Sequence, residues 1–144
     1  MRKFILFITT CIATFSFDID DFDNGVDALS SENFKAAYEI FEVGCEARDE
    51  LSCEELGLMY INGQVSDEMD TTKVSHFDIG INYLMKSCDL GYANACSDVV
   101  DLRDILKKEA GYELSVGVYE NALLRYNELT SELKNVEHNA TQSE

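Results

Sequence analysis

The sequence predicts an all-α fold, a short α/α solenoid of about three antiparallel helix pairs. Three observations point to it. Apolar residues recur at spacings of three and four along most of the chain, the period of an amphipathic helix. The chain holds no proline, and no long stretch alternates apolar and polar residues as a half-buried strand would. Four of the five cysteines stand on a lattice. Cys45 with Cys53 and Cys88 with Cys96 both read C-x7-C, and the second pair repeats the first 43 residues later. The flanks repeat as well: Phe41-Glu42-Val43-Gly44-Cys45 matches Leu84-Met85-Lys86-Ser87-Cys88. An internal repeat of this length marks an array of supersecondary units. An even cysteine set on a fixed spacing marks an oxidising compartment.

The elements follow in order. Residues 1–16 read as a secretory signal peptide. Arg2 and Lys3 form a basic start, an apolar run extends from Phe4 to about Ile12, and small residues offer a cut after Ala13 or Ser16. The run is too short for a membrane span. Cys11 lies inside it, preceded by Ile8-Thr9-Thr10, a poor match to a lipoprotein site. Losing Cys11 with the signal leaves four cysteines. A short helix marked by Phe22, Val26 and Leu29 then closes at Ser30-Ser31. A second, from about 33 to 46, aligns Phe34, Ala37, Tyr38, Phe41 and Cys45 on one face. Leu51, Leu56, Leu58, Met59 and Ile61 mark the third, stopped by Asn62-Gly63. The polar segment 65–76 is expected to be a flexible loop outside the packed core. Ile79, Ile81, Tyr83, Leu84 and Cys88 mark the fourth helix, stopped by Gly91, and Ala95, Val99, Val100, Leu102 and Leu106 the fifth. The sixth, within 112–136, carries the stripe Tyr119, Leu123, Tyr126, Leu129 and Leu133 and is expected to cap the array with that stripe buried. The organisation is thus a signal at 1–16, one repeat domain at 17–136 ending in the capping helix, and a disordered tail at 137–144.

Small residues stand at matching places, Gly25 and Gly57 in the first helices of two pairs, with Val100 at that place in the third. Ala37 and Gly80 do so in the second helices of the first two pairs, where Phe41 and Leu84 fill the space beside them. Here the chain resembles the tetratricopeptide-like Sel-one-like repeats. Leu56-Gly57-Leu58-Met59-Tyr60-Ile61-Asn62-Gly63 and Cys88-Asp89-Leu90-Gly91-Tyr92-Ala93-Asn94-Ala95-Cys96 carry the resemblance. The paired cysteines make it similar to the Helicobacter cysteine-rich protein family. The resemblance spans about residues 22–106. It departs in the 65–76 loop, about seven residues longer than the usual connection. It departs again in the last repeat, where Val99-Val100 replace Leu-Gly and no cysteine pair occurs.

In an α-hairpin array, C-x7-C spans one helix end, a turn and the next helix start, so Cys45 faces Cys53 and Cys88 faces Cys96. Each resulting disulfide closes a nine-residue loop and stabilises by about 2–3 kcal/mol on the chain-entropy model. A zinc site would place two to four residues between paired cysteines, and a redox pair would read C-x-x-C. No metal and no cofactor is expected.

The formal charge is −17, and removal of Arg2 and Lys3 takes it to about −19. Such a surface repels phosphate backbones and anionic lipid, which argues against nucleic acid and membrane-surface partners. It leaves room for a basic partner or a cation, and it also keeps an exported protein soluble. Fifteen Phe and Tyr residues supply a core, so the chain is not an acidic disordered one.

Catalytic motifs are sparse. His76 and His138 are the two histidines, neither in H-E-x-x-H. The run Asp20, Asp21, Asp23 and Gly25 fails the calcium-loop template, because Phe22 and Ser31 fall where ligands belong. The family resemblance implies penicillin binding or β-lactam hydrolysis. Yet the one S-x-x-K is Ser131-Glu132-Leu133-Lys134 on the last helix, without S-D-N or K-T-G. Asn139, in Glu137-His138-Asn139-Ala140-Thr141, is a candidate glycosylation acceptor in the tail. The expected function is a periplasmic or secreted scaffold, monomeric and without intrinsic catalysis, binding a protein or peptide. The first helix of each pair would present Glu54, Leu58, Asn62, Ser97, Asp101 and Asp104. The alternative is a β-lactam-binding or β-lactam-hydrolysing enzyme.

Overall fold

The computed structural model describes residues 17–66, 69–70 and 75–141, with side chains described as far as residue 132. The expected signal segment, residues 1–16, and the end of the tail, 142–144, lie outside these residues. Among them are six helices and no strand: α1 (Ile19–Ser30), α2 (Phe34–Glu46), α3 (Glu50–Ile61), α4 (His76–Leu90), α5 (Ala93–Ala110) and α6 (Val116–Thr141). Each helix packs on the one that follows it, and α4 also touches α6.

Local chemistry sets the helix ends. Asp18 caps α1, accepting from the backbone N–H groups of Asp20 and Asp21, while the Asp21 carboxylate takes the Asp18 N–H. Asp20 and Asp21 therefore serve a helix start. Asn33 and Asp49 cap α2 and α3 in the same manner. Four ends share one exit turn. The Glu32 N–H donates to Leu29 O and Asn33 N–H to Ala28 O; Gly63 and Gln64 donate to Tyr60 and Met59. After α2, Arg48 and Asp49 donate to Cys45 and Gly44; after α4, Gly91 and Tyr92 donate to Cys88 and Ser87. Such turns hold one residue left-handed, usually glycine. Gly63 and Gly91 meet that need, but Glu32 (φ 58°) and Arg48 (φ 70°) occupy it with side chains. Each of those two costs about 1–2 kcal/mol.

A close approach of α3 and α4 runs through Gly57 and Gly80. A Cβ added to Gly57 would lie 2.9 Å from Gly80 O, and one added to Gly80 would lie 2.8 Å from Gly57 O. Two helices thus meet backbone on backbone, with Leu84 lying beside Gly57. Gly25 similarly receives the Phe41 ring, 2.6 Å from where its Cβ would stand. Phe41, Leu56, Met59 and Leu84 are fully buried around these contacts. Burying each such side chain contributes roughly 1.5–3 kcal/mol.

Three features correct the expectations above. Segment 65–76 is not outside the core at its described residues. Val65 is buried in the α2–α3 cluster, Met69 packs on it, and Asp70 accepts a 2.8 Å hydrogen bond from the Tyr60 hydroxyl. His76 is the first residue of α4, its ring edge-on to Tyr60 at 5.4 Å. In α6 the expected stripe holds at Tyr126 and Leu129 but not at Leu123, and Leu133 lies beyond the described side chains. Ala122 is fully buried with Leu84 and Val99, whereas Leu123 is 37% exposed and Leu124 60%. Val118, Ala122, Tyr126 and Leu129 face the core. The close-packed position accepts only a small residue, and Ala122 fits where Leu123 would not. Finally, α6 continues beyond 136 to Thr141, so Asn139 and most of the expected tail belong to a helix backbone.

Candidate functional site

Both disulfides have the expected pairing, Cys45–Cys53 and Cys88–Cys96, and all four sulfur-bearing residues are buried. Each ties the end of one helix to the start of the next, α2 to α3 and α4 to α5. This is the chemistry of an oxidising compartment. No helix among the described residues is long and apolar enough to cross a membrane.

The α3–α5 face gathers some of the expected partner-binding residues but not all. Glu54, on the first turns of α3, is half-buried and faces the Asp98 carboxyl of α5. Burial first, then the charge and hydrogen bond of Asp98, push the Glu54 carboxyl up to about 7. Asp98 is raised too, mainly by burial, and Asp101 adds repulsion. The two carboxyls thus hold a proton more readily than isolated ones. Glu55, also raised by burial, lies next to Glu54 in sequence. Asp101 and Asp104 are exposed further along α5. Asp104 sits 3.9 Å from the Arg103 guanidinium and lines a cleft of about 280 Å³ with Arg103, Lys107 and Glu113. Ser97 is partly buried beside Asp98. Leu58 is spent on packing against the Ile81–Leu84–Val99 cluster, and Asn62 is the C-cap residue of α3.

Sequence reasoning missed Asp98. Repeat equivalence pairs Glu54 with Ser97 and Glu55 with Asp98, whereas the contact runs diagonally from Glu54 to Asp98. It also missed the aromatic cluster on α2, α3 and α4. The Tyr60 ring stacks on Tyr83 at 5.8 Å and meets Tyr38 edge-on at 6.2 Å. The Tyr60 hydroxyl binds Asp70 and lies 3.4 Å from that of Tyr38, which donates to Glu42. Burial and the carboxylates raise both phenols above their ordinary range, so they act as neutral donors. This cluster is filled by its own rings and fastens Asp70 to the helices.

The S-x-x-K match at Ser131, set aside on the sequence, has its lysine, Lys134, beyond the described side chains. The Ser131 hydroxyl donates to the Glu128 carbonyl of its own helix at 2.8 Å and is exposed. Asn139 lies in the α6 backbone, beyond the described side chains. Compared with protein-family models, curated proteins and solved structures, the chain matches none.

Proposed function

We propose that this chain is an exported Sel-one-like repeat scaffold, periplasmic or secreted, that binds a protein or peptide on its α3–α5 face. On this reading α1–α2, α3–α4 and α5–α6 are three antiparallel pairs stacked as a short solenoid, and the first helices line one side. The observation that carries it is the meeting of Glu54 and Asp98 across α3 and α5, which makes those helices neighbours on one acidic face. Asp101 and Asp104 extend the face outward. The partner is a basic segment: a lysine or arginine reaching Glu54 and Asp98 would displace their proton and form charge-assisted hydrogen bonds.

Titrating a fluorescent lysine- and arginine-rich peptide into the oxidised chain tests this by anisotropy. Saturable binding is expected that weakens with salt and falls about tenfold or more in Glu54→Gln/Asp98→Asn. Equal binding by the double variant would remove the assignment. A hydrolase reading has one observation in its favour, a carboxyl pushed to about 7 beside a second acid, the pairing that general acid–base catalysis uses. Nitrocefin turnover, lost in Glu54→Ala and Asp101→Ala, would decide for the β-lactam enzyme. The binding scaffold turns over none.

A further inference from the structure

A second site stands on a different surface and has opposite charge. The turn between α2 and α3, together with α4, forms a cleft of about 430 Å³ lined by Arg48, Asn82, Met85, Lys86, Asp89 and Leu90. Two cations share it, in a chain whose formal charge is −17. Lys86 Nζ is fixed by a 2.8 Å hydrogen bond to Cys45 O, the carbonyl at the end of α2, which leaves its other protons free. Arg48 has no hydrogen bond or ion pair from its guanidinium among the described residues. Its backbone is left-handed at φ 70°, and the matching residue of the second cysteine unit, with the same turn hydrogen bonds, is Gly91. A glycine would hold this turn without strain, so the arginine side chain is kept against the local preference of the backbone.

We propose that this cleft binds a small organic oxyanion, a carboxylate or a phosphate monoester on an apolar stem. Arg48 supplies a planar fork suited to two oxygens of such a group, and Lys86 supplies a second, pre-placed charge. Asn82 adds an amide donor, and Met85 and Leu90 offer apolar surface to the stem. Asp89 leaves the cleft with one net positive charge, enough for a monoanion.

The oxidised chain, labelled with ¹⁵N, is titrated with hexanoate, hexyl phosphate, acetate and hexylammonium, following the Arg48 Nε–H and Asn82 amide signals. Saturable shifts confined to Arg48, Asn82 and Lys86 are expected with hexanoate or hexyl phosphate, and the tighter of the two names the head group. Acetate should bind about tenfold more weakly for want of the stem. The Arg48→Gly chain should bind about tenfold or more weakly while melting a few degrees higher. Glu32→Gly, which relieves the other left-handed side chain, should also melt higher and bind as the parent does. Unchanged binding in Arg48→Gly, shifts spread without saturation, or hexylammonium acting at the same residues would overturn the site. A lower melting temperature in Arg48→Gly would overturn the reasoning from strain.

Discussion

The two cysteine units share a spacing, a disulfide and a turn, yet their side chains suit that frame unequally. In the second unit Ser87 donates to Glu50 O at 2.7 Å, Gly91 takes the left-handed position, and Ala95 is buried without a polar atom. In the first unit the equivalent positions hold Gly44, Arg48 and Ser52. A Cβ on Gly44 would strike Ser52 Oγ and lie 2.6 Å from the Phe17 ring. Arg48 is strained, and the buried Ser52 hydroxyl has no hydrogen-bond partner among the described residues. Backbone repetition therefore does not carry side-chain optimisation with it. The first unit departs from the local optimum at the turn that forms the Arg48–Lys86 cleft.

Exchanging residues between the units sharpens this comparison, and the largest effect belongs to Gly44. Gly44→Ser, the residue of the second unit, should destabilise by about 2–3 kcal/mol because Phe17 and Ser52 must move. Its mirror, Ser87→Gly, should cost about 1–2 kcal/mol through a lost hydrogen bond and a glycine within a helix. Urea denaturation with disulfides intact measures both. Removing either disulfide as a pair of alanines should cost a similar amount, about 2–3 kcal/mol, since both close nine-residue loops. Unequal losses there would mean that the frames themselves differ.

Smaller effects distinguish packed from open positions elsewhere. Gly80→Ala drives a methyl into Gly57 O and should destabilise, whereas Gly117→Ala, with nothing within 4 Å of the new carbon, should stabilise by about 0.5 kcal/mol. Leu123→Ala should cost less than about 1 kcal/mol, while Ala122→Leu, at a fully buried position, should cost about 1–3 kcal/mol. The smallest expected effect is a pH dependence. Glu54 holds its proton more tightly in the folded chain than in the unfolded one, so the fold binds more protons between its ordinary carboxyl value and about 7. Stability contributed by the protonated carboxyl is full at acid pH and declines as pH rises through that window. Solvent screening keeps the change small at this half-exposed group. In Glu54→Gln the denaturation midpoint should lose this decline.

Much of the fold was legible from the chain. Helix spans followed from the 3.6-residue period; α2 matches the expected 33–46, and α3 ends at Ile61, just before the Asn62-Gly63 stop. The tight α3–α4 contact was visible in Gly57 and Gly80, because close approach leaves a mark as small residues. Other features left no such mark. Arg48 and Glu32 hide two left-handed turns, since nothing in an arginine or glutamate announces a positive φ. The α6 stripe was legible at Tyr126 and Leu129 but misread at Leu123, the more apolar choice, because the buried place there belongs to Ala122. Asp70 stands in a polar segment, and only its bond to Tyr60 identifies it as an anchor. In the candidate site, Glu54 was legible from repeat position, but Asp98 required knowing how α5 sits against α3.

The claim that the two units share one frame and differ in side-chain fit is tested most directly by reciprocal transplantation. Arg48→Gly/Ser52→Ala installs the second unit's residues in the first, and Gly91→Arg/Ala95→Ser does the reverse. Both variants are unfolded in urea beside the parent. The first should gain about 1–3 kcal/mol from relieved strain and a removed orphan hydroxyl, and the second should lose a comparable amount. A loss in the first variant, or no loss in the second, would contradict it.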